Sequence, residues 1–233
     1  MESVKNDETQ FGVVPIENSI EGSVGITLDL LAHNYDLKIY RELIIPINQN
    51  LIVNKGCDMN DIKDVYSHSQ AIAQCNGFIL KNNIQPHYAV STARAVKDII
   101  GDKSKAAIGN AKAAELYDLE ILKANIQDVS NNETRFVVLS KAEHEPTGHD
   151  KTSIIFSMYE DRPGSLYKIL GIFEKDDVNL TKIESRPSKK GLGRYLFFID
   201  FIGHKNDELI RNIISDIDEN TYFLKILGSY PEF

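Results

Sequence analysis

The sequence predicts an α/β protein of two domains, with alternating strands and helices first and a β-α-β-β-α-β unit second. Three observations carry this. Before about residue 140, short apolar runs rich in β-branched residues lead into helical patterns, the order of a largely parallel sheet or pair of sheets. Ala142 to Asp150 (AEHEPTGHD) is polar, holds Pro and Gly and has no periodicity, so it reads as a linker. Beyond it, the apolar spacing switches between strand and helix periods.

In the first domain, Phe11 to Ile16 is a buried strand with a proline near its end, and Val24 to Ala32 is a helix. Extended segments follow at 37–40, 43–45 and 51–53. Val65-Tyr66 is a short strand entering a helix over 70–80. His87 to Val90 enters a helix over 93–100, and Ala106 to Ile108 enters a helix over 111–117. Runs at 119–122 and 134–139 close the domain. In the second domain, Thr152 to Met158 is a strand. Pro163 to Lys175 is a helix with Leu166, Ile169, Leu170 and Phe173 on one face. Val178 to Ser185 and Arg194 to Ile202 are strands flanking a turn at Lys189 to Gly193. Asn206 to Asp218 is a helix and Tyr222 to Tyr230 a last strand, which completes a ferredoxin-like plan.

The chain has 233 residues, a formal charge of −8 and a pI near 5.3. A global acidic field argues against nucleic acid and anionic membrane as partners, and any anionic ligand needs a local positive site. No apolar run is long enough to cross a membrane, and Met1 to Lys5 lacks the apolar core of a signal peptide, so a cytoplasmic location is expected. Cys57 and Cys75 form no CxxC pair and the six histidines are scattered, so reduced thiols and no metal site are expected.

One arrangement recurs in the first domain: a strand ends and small polar residues lead into a helix. It occurs at Glu17-Asn18-Ser19, Ser67-His68-Ser69, Ser91-Thr92 and Gly109-Asn110. Each is either an ordinary N-cap or, if several converge, part of a pocket for a carboxylate-rich molecule. Glu17 and Glu21 suggest acid–base work. They equally suit a helix start, and a binding or orienting role is the reading kept. Thr134-Arg135-Phe136 opens a strand after a loop. Arg135 is either an exposed strand residue or the cation that binds or organises an anion, since its fork matches a carboxylate.

These blocks together resemble the prephenate dehydratase family. The carriers are Phe11 to Val24 (FGVVPIENSIEGSV), Ser67 to Cys75 (SHSQAIAQC, with Ser69 where the family has Pro), Ser91-Thr92-Ala93, and Asn132-Glu133-Thr134-Arg135-Phe136. Gly164-Ser165-Leu166 and Glu184-Ser185-Arg186-Pro187 resemble the two phenylalanine-sensing motifs of an attached ACT domain, with Ser165 where the family has Ala. The resemblance implies a catalytic domain over 1–145 of the type II periplasmic-binding-protein kind, with its site between two lobes. The lobes would be about 1–48 with 125–141, and 51–124, hinged near Pro46 and Asn125; an ACT domain would span 151–233. It implies conversion of prephenate to phenylpyruvate with loss of water and carbon dioxide, without metal or organic cofactor. It implies Thr134 and Arg135 as catalytic residues and Glu17, Asn18, Ser19, Ser67, His68, Gln70, Ser91, Thr92 and Phe136 at the substrate, Phe136 packing behind the site. L-phenylalanine would bind Gly164, Ser165, Leu166, Asn179, Leu180, Glu184, Ser185, Arg186 and Pro187.

Tyr195 to Ile199 is apolar on both faces, which fits either plain core or a second copy packed against it, and a homodimer or homotetramer is the expectation. The family's opening Gly-Pro-x-Gly-Thr-Phe turn has no match here, so the 233-residue chain alone is expected to show little activity. Two alternatives stand beside this reading: a non-catalytic amino-acid sensor and an arogenate dehydratase.

Overall fold

The apolar run after Phe11 forms strand β1 (Gly12–Asn18), which carries a proline inside its ladder. Pro15 has no N–H to donate, and the pairing register slips between Pro15 and Glu17. A tight hairpin leads to the two-residue β2 (Gly22–Ser23), then to helix α2 (Gly25–His33) and the long β3 (Lys38–Pro46). A short helix, α1 (Glu2–Lys5), precedes them and has no counterpart in the sequence reading. The computed structural model describes every residue except Asp161, Lys190 and Leu192, so the turn expected at Lys189 to Gly193 lies partly outside the described residues.

Next come β4 (Asn50–Val53), β5 (Asp64–Ser67), α3 (Ser69–Gln74), α4 (Asn76–Lys81), β6 (Gln85–Tyr88), α5 (Thr92–Asp98), β7 (Lys105–Gly109), α6 (Ala111–Leu116) and β8 (Glu120–Lys123). Their sheet runs β6-β5-β7-β4-β8. β5 pairs parallel with β6 and β7, as the strand–helix alternation requires, whereas β4 is antiparallel to β7 and β8. The single helix expected over 70–80 is broken at Cys75. Asn76 and Gly77 are poor helix formers, and the Asp128 carboxylate accepts the Gly77 amide at 3.1 Å, giving α4 its own start.

The chain returns through β9 (Glu133–Ser140), which pairs antiparallel with β1 in the order β2-β1-β9-β3. This sheet is not the parallel one expected, because β1 and β9 are joined by a long excursion that lets them run in opposite directions. Then follow β10 (Asp150–Ser157), α7 (Ser165–Lys175), β11 (Leu180–Pro187), β12 (Tyr195–Ile202), α8 (Glu208–Glu219) and β13 (Phe223–Pro231), with sheet order β11-β12-β10-β13. This is the expected β-α-β-β-α-β plan.

The compact units are Met1–Ile45 with Thr134–Phe233, and Pro46–Glu133. The second crossing falls at Glu133/Thr134 rather than near Asn125, because Ile126 is buried in the core of the second unit and its amide donates to the Gln49 carbonyl at 2.8 Å. Within the first unit, the C-terminal sheet has two packed faces. Ile154, Phe156, Ile199 and Phe201 pack on α7 and α8, while Ile155, Leu196, Phe198, Leu227 and Tyr230 share a core with Leu28, Leu31, Leu37, Ile39, Val137 and Leu139. The two-faced apolarity of β12 is therefore satisfied within one chain and does not require a second copy. Among the described residues, no helix is long and apolar enough to cross a membrane.

Candidate active site

Register places the two signature blocks side by side: Asn18 is the cross-strand partner of Thr134, and Glu17 of Arg135. The Asn18 amide nitrogen donates to Thr134 Oγ1 at 2.9 Å. The Asn18 carbonyl oxygen accepts from the amides of Ile20 and Glu21, each at 3.0 Å, which fixes which end of the side chain faces Thr134. The motif expected to cap a helix therefore caps the turn of a hairpin instead; α2 starts later and its N-cap, Val24, makes no side-chain capping hydrogen bond. Chemically the pair is directional. With Oγ accepting from Asn18, the threonine proton is available for donation, and the Asn18 N–H stabilises charge developing on Oγ. Ser19 and Glu21 are exposed at the hairpin tip, and Phe136 is half-buried opposite Pro15.

Arg135 sits beside Thr134 in sequence, but its guanidinium does not face an open anion site. Nε donates to Glu42 at 2.7 Å, one terminal nitrogen to Asp200 at 2.6 Å and the other to the Tyr230 hydroxyl at 2.8 Å. Lys151 reaches Glu42 at 2.9 Å, and the Phe233 amide reaches the same carboxylate oxygen at 3.1 Å. Ser153 donates to Asp200 at 2.5 Å and shares a hydrogen bond with Tyr230 at 2.6 Å. Arg135 and Lys151 thus face Glu42 and Asp200 in this buried cluster, with Glu17 3.7 Å from Arg135 and Glu232 3.9 Å from Lys151 at its edge. Burial alone would raise the Glu42 pKa, but the charge of Arg135 and the Lys151 bond hold it below the usual carboxylate value. Burial raises the Tyr230 hydroxyl well above its ordinary range, so it stays neutral. The expectation of a substrate carboxylate on Arg135 is replaced by an organising role, because its donors are committed to Glu42, Asp200 and Tyr230. The cluster members Glu42, Lys151, Asp200 and Tyr230 were missed by sequence reasoning. A signal existed: Asp200 is the only charge in the run Tyr195 to Ile202, and a lone acid in an apolar strand demands a cation.

In the second unit the strand ends behave unequally. Ser67 is fully buried and its hydroxyl donates to the Ile108 carbonyl at 2.7 Å, so it ties β5 to β7 rather than presenting itself to a ligand. His68 is the N-cap of α3, with Nδ1 near the Gln70 amide at 3.4 Å; both residues are exposed. Ser91 caps α5 by accepting the Arg94 amide at 3.1 Å, with Thr92 following it, and Asn110 caps α6 at 2.8 Å. Cys75 is fully buried, and burial pushes its thiol up to about 12, which makes it inert.

The second-domain motifs fall in two places. Gly164 has φ +86° and precedes α7; Ser165 belongs to the lining of a cavity of about 300 Å³ shared with Met158, Tyr159, Glu160, Arg162 and Lys168. Leu166 packs at the edge of the helical core, and Asn179 is exposed just before β11. Along β11 the side chains alternate. Leu180, Lys182, Glu184 and Arg186 are half-buried, while Ile183, Ser185 and Pro187 are exposed. Arg186 donates to Asp29 at 3.0 Å, and that bond holds the Asp29 carboxyl below its ordinary range. Glu184 accepts a hydrogen bond from Ser23.

A family model described as prephenate dehydratase matches residues 1–144, and one described as ACT domain matches residues 152–219. The chain is 47% identical over 232 residues to the prephenate dehydratase of Methanocaldococcus jannaschii, covering 97% of this chain and 83% of that protein. It is 45% identical to the bifunctional chorismate mutase/prephenate dehydratase of Aquifex aeolicus, covering 98% of this chain but only 63% of that longer protein. Among solved structures, the prephenate dehydratase of Arthrobacter aurescens in complex with L-Phe superposes with a TM-score of 0.89 at 36% identity, covering 99% of this chain and 78% of that one. The chain that forms the Asn–Thr pair and the β-α-β-β-α-β domain thus aligns with known relatives over nearly its whole length, and it belongs to the prephenate dehydratase family, its C-terminal part being an ACT domain.

Proposed function

We propose that this protein converts prephenate to phenylpyruvate, releasing water and carbon dioxide, and that L-phenylalanine regulates it through the ACT domain. The observation that carries the reading is the 2.9 Å bond from Asn18 to Thr134 inside the family's two signature blocks. The ring carboxylate leaves as carbon dioxide, its bonding electrons complete the aromatic ring, and the ring hydroxyl departs with its C–O electron pair. The leaving oxygen needs a proton or a strong donor. A threonine hydroxyl is too weak an acid to give its proton early, so Thr134 hydrogen-bonds the departing oxygen late, as charge builds on it, with Asn18 stabilising the threonine oxygen, and the one proton that completes the released water is made good from solvent. Glu17 and Ser19 flank the pair; His68, Gln70, Ser91 and Thr92 of the second unit are assigned to the substrate's carboxylates. Aromatisation supplies the driving force, so the residues' task is placement.

The effector reading draws on the A. aurescens relative in complex with L-Phe and on two surfaces: the cavity beside Ser165 and the exposed Ile183, Ser185 and Pro187 face of the edge strand β11. Placing phenylalanine where one copy's Gly164-Ser165-Leu166 meets another copy's β11 makes a homodimer the minimal assembly, in the cytoplasm. The test is phenylpyruvate formation by purified protein, assayed with prephenate and with arogenate. It is run on the 233-residue chain and on a version extended ahead of Met1 by the family's Gly-Pro-x-Gly-Thr-Phe segment. Turnover of prephenate is expected. Absence of turnover in both forms overturns the reading in favour of a non-catalytic sensor, and a preference for arogenate reassigns the substrate.

A further inference from the structure

We infer that Lys182, on the ACT-domain strand β11, is a positioning residue for the Asn18–Thr134 pair, acting by clamping the β1–β2 hairpin from outside the catalytic domain. The inference rests on the dehydratase reading above and goes beyond it to a residue that neither signature block contains.

Three observations support it. The Lys182 side chain is 8% exposed, and its ammonium lies 3.0 Å from Glu17 and 3.5 Å from Glu184. It also donates to the Ser23 hydroxyl at 2.8 Å, and Ser23 in turn donates to Glu184. Glu17 and Ser23 are cross-strand partners, as are Asn18 and Gly22, so the lysine grips both strands of the hairpin one residue away from Asn18. β2 is two residues long, and Ser19 to Gly22 are exposed. A two-residue ladder is too short to fix a side chain by itself.

The chemistry suits orientation rather than reaction. Lys182 has its donors on Glu17, Ser23 and Glu184, and its two carboxylate partners are shared with Arg135 and Arg186. A charge-assisted bond to Glu17 constrains the backbone of the next residue, and a small displacement of Asn18 removes its donor from Thr134. The same strand carries Glu184 and Arg186, and Arg186 reaches Asp29 in α2. Movement of β11 therefore bears on the Asn18 hairpin through Lys182 and on the following helix through Arg186. A ligand that preferred one position of β11 would act on Thr134 by this route.

The experiment compares Lys182→Met, Lys182→Arg and wild type by hydrogen exchange at the Ile20 and Glu21 amides, by kcat and KM for prephenate, and by thermal unfolding. Methionine fills the buried stem without the charge. Lys182→Met is expected to speed exchange at those amides by about tenfold or more, the equivalent of one lost charged hydrogen bond. It should lower kcat by about tenfold or more with KM within about twofold, and lower it no further in a Thr134→Ala background. Lys182→Arg should recover most of both effects. Unchanged hairpin exchange, or a kcat loss that simply adds to that of Thr134→Ala, overturns the inference. Should neither the 233-residue chain nor its extended version turn over prephenate, the dehydratase reading fails, while the exchange measurement still decides whether Lys182 holds the hairpin.

Discussion

Replacing Arg135 by methionine should destabilise the first unit far more than an ordinary strand substitution. Three bonds of 2.6 to 2.8 Å to Asp200, Glu42 and Tyr230 would vanish. Glu42 would keep Lys151 and the Phe233 amide, and Asp200 would keep Ser153, so neither carboxylate is stripped of every partner. Summing three charged hydrogen bonds at about 1.5–3 kcal/mol each therefore overstates the loss. Removing one partner of a buried ion pair costs about 3–5 kcal/mol, and that is the figure expected here. For a chain of this size it corresponds to a fall in the unfolding temperature of roughly 6–20 °C. Scanning calorimetry measures it, with Asp200→Asn and the double variant completing a cycle. A coupling of about 1–3 kcal/mol is expected, because both substitutions break one network. Arg135→Lys should fall between, since an ammonium cannot reach three partners in a plane. An unfolding temperature within about 2 °C of wild type for Arg135→Met, or strict additivity with Asp200→Asn, would refute the cluster as the fastener of the ACT sheet to the catalytic strands.

The remaining predictions concern pH and the effector. Glu42 titrates below its ordinary 4.5 in the folded state, so its contribution is present above the unfolded pKa and is lost as pH falls through the folded one. Thermal unfolding of wild type should fall as pH drops below about that value, and Glu42→Gln, weaker at neutral pH, should show a flatter acid limb; parallel limbs contradict the assignment. Gly164→Val should abolish L-phenylalanine binding in calorimetry. Nothing lies within 4 Å of a Cβ built at Gly164, so the effect comes not from crowding but from φ +86°, a conformation β-branched residues avoid. Wild-type heats in that variant would remove Gly164 from the effector site.

Most of the fold was legible because the periodicities are local. The six elements of the ACT domain show their apolar spacing openly, and helix starts at Ser91 and Asn110 carry the side chains that cap them. What escaped was non-local. The break at Cys75 depends on Asp128, far along the chain, and the antiparallel β1–β9 pairing depends on a return that no local pattern announces. At the site, the signature blocks were readable, yet their roles shifted on contact with geometry. Asn18 caps a hairpin turn, Ser67 is a sheet tie, and Arg135 faces the ACT sheet. In each case the residue type was right for a polar task and the partner was set by tertiary packing. Both faces of β12 were correctly seen as apolar, but the cover proved to be the same chain's own catalytic strands.

The measurement that bears most directly on the account is the turnover of Thr134→Ala and Thr134→Ser beside wild type, with prephenate affinity determined separately by calorimetry. The account predicts that Thr134→Ala loses about 10²–10⁴ in kcat, the range of a positioned proton donor, while affinity stays within a few-fold, and that Thr134→Ser, which keeps a hydroxyl for Asn18 to orient, stays within about tenfold of wild type. A Thr134→Ala variant that turns over prephenate at near wild-type rate would contradict it.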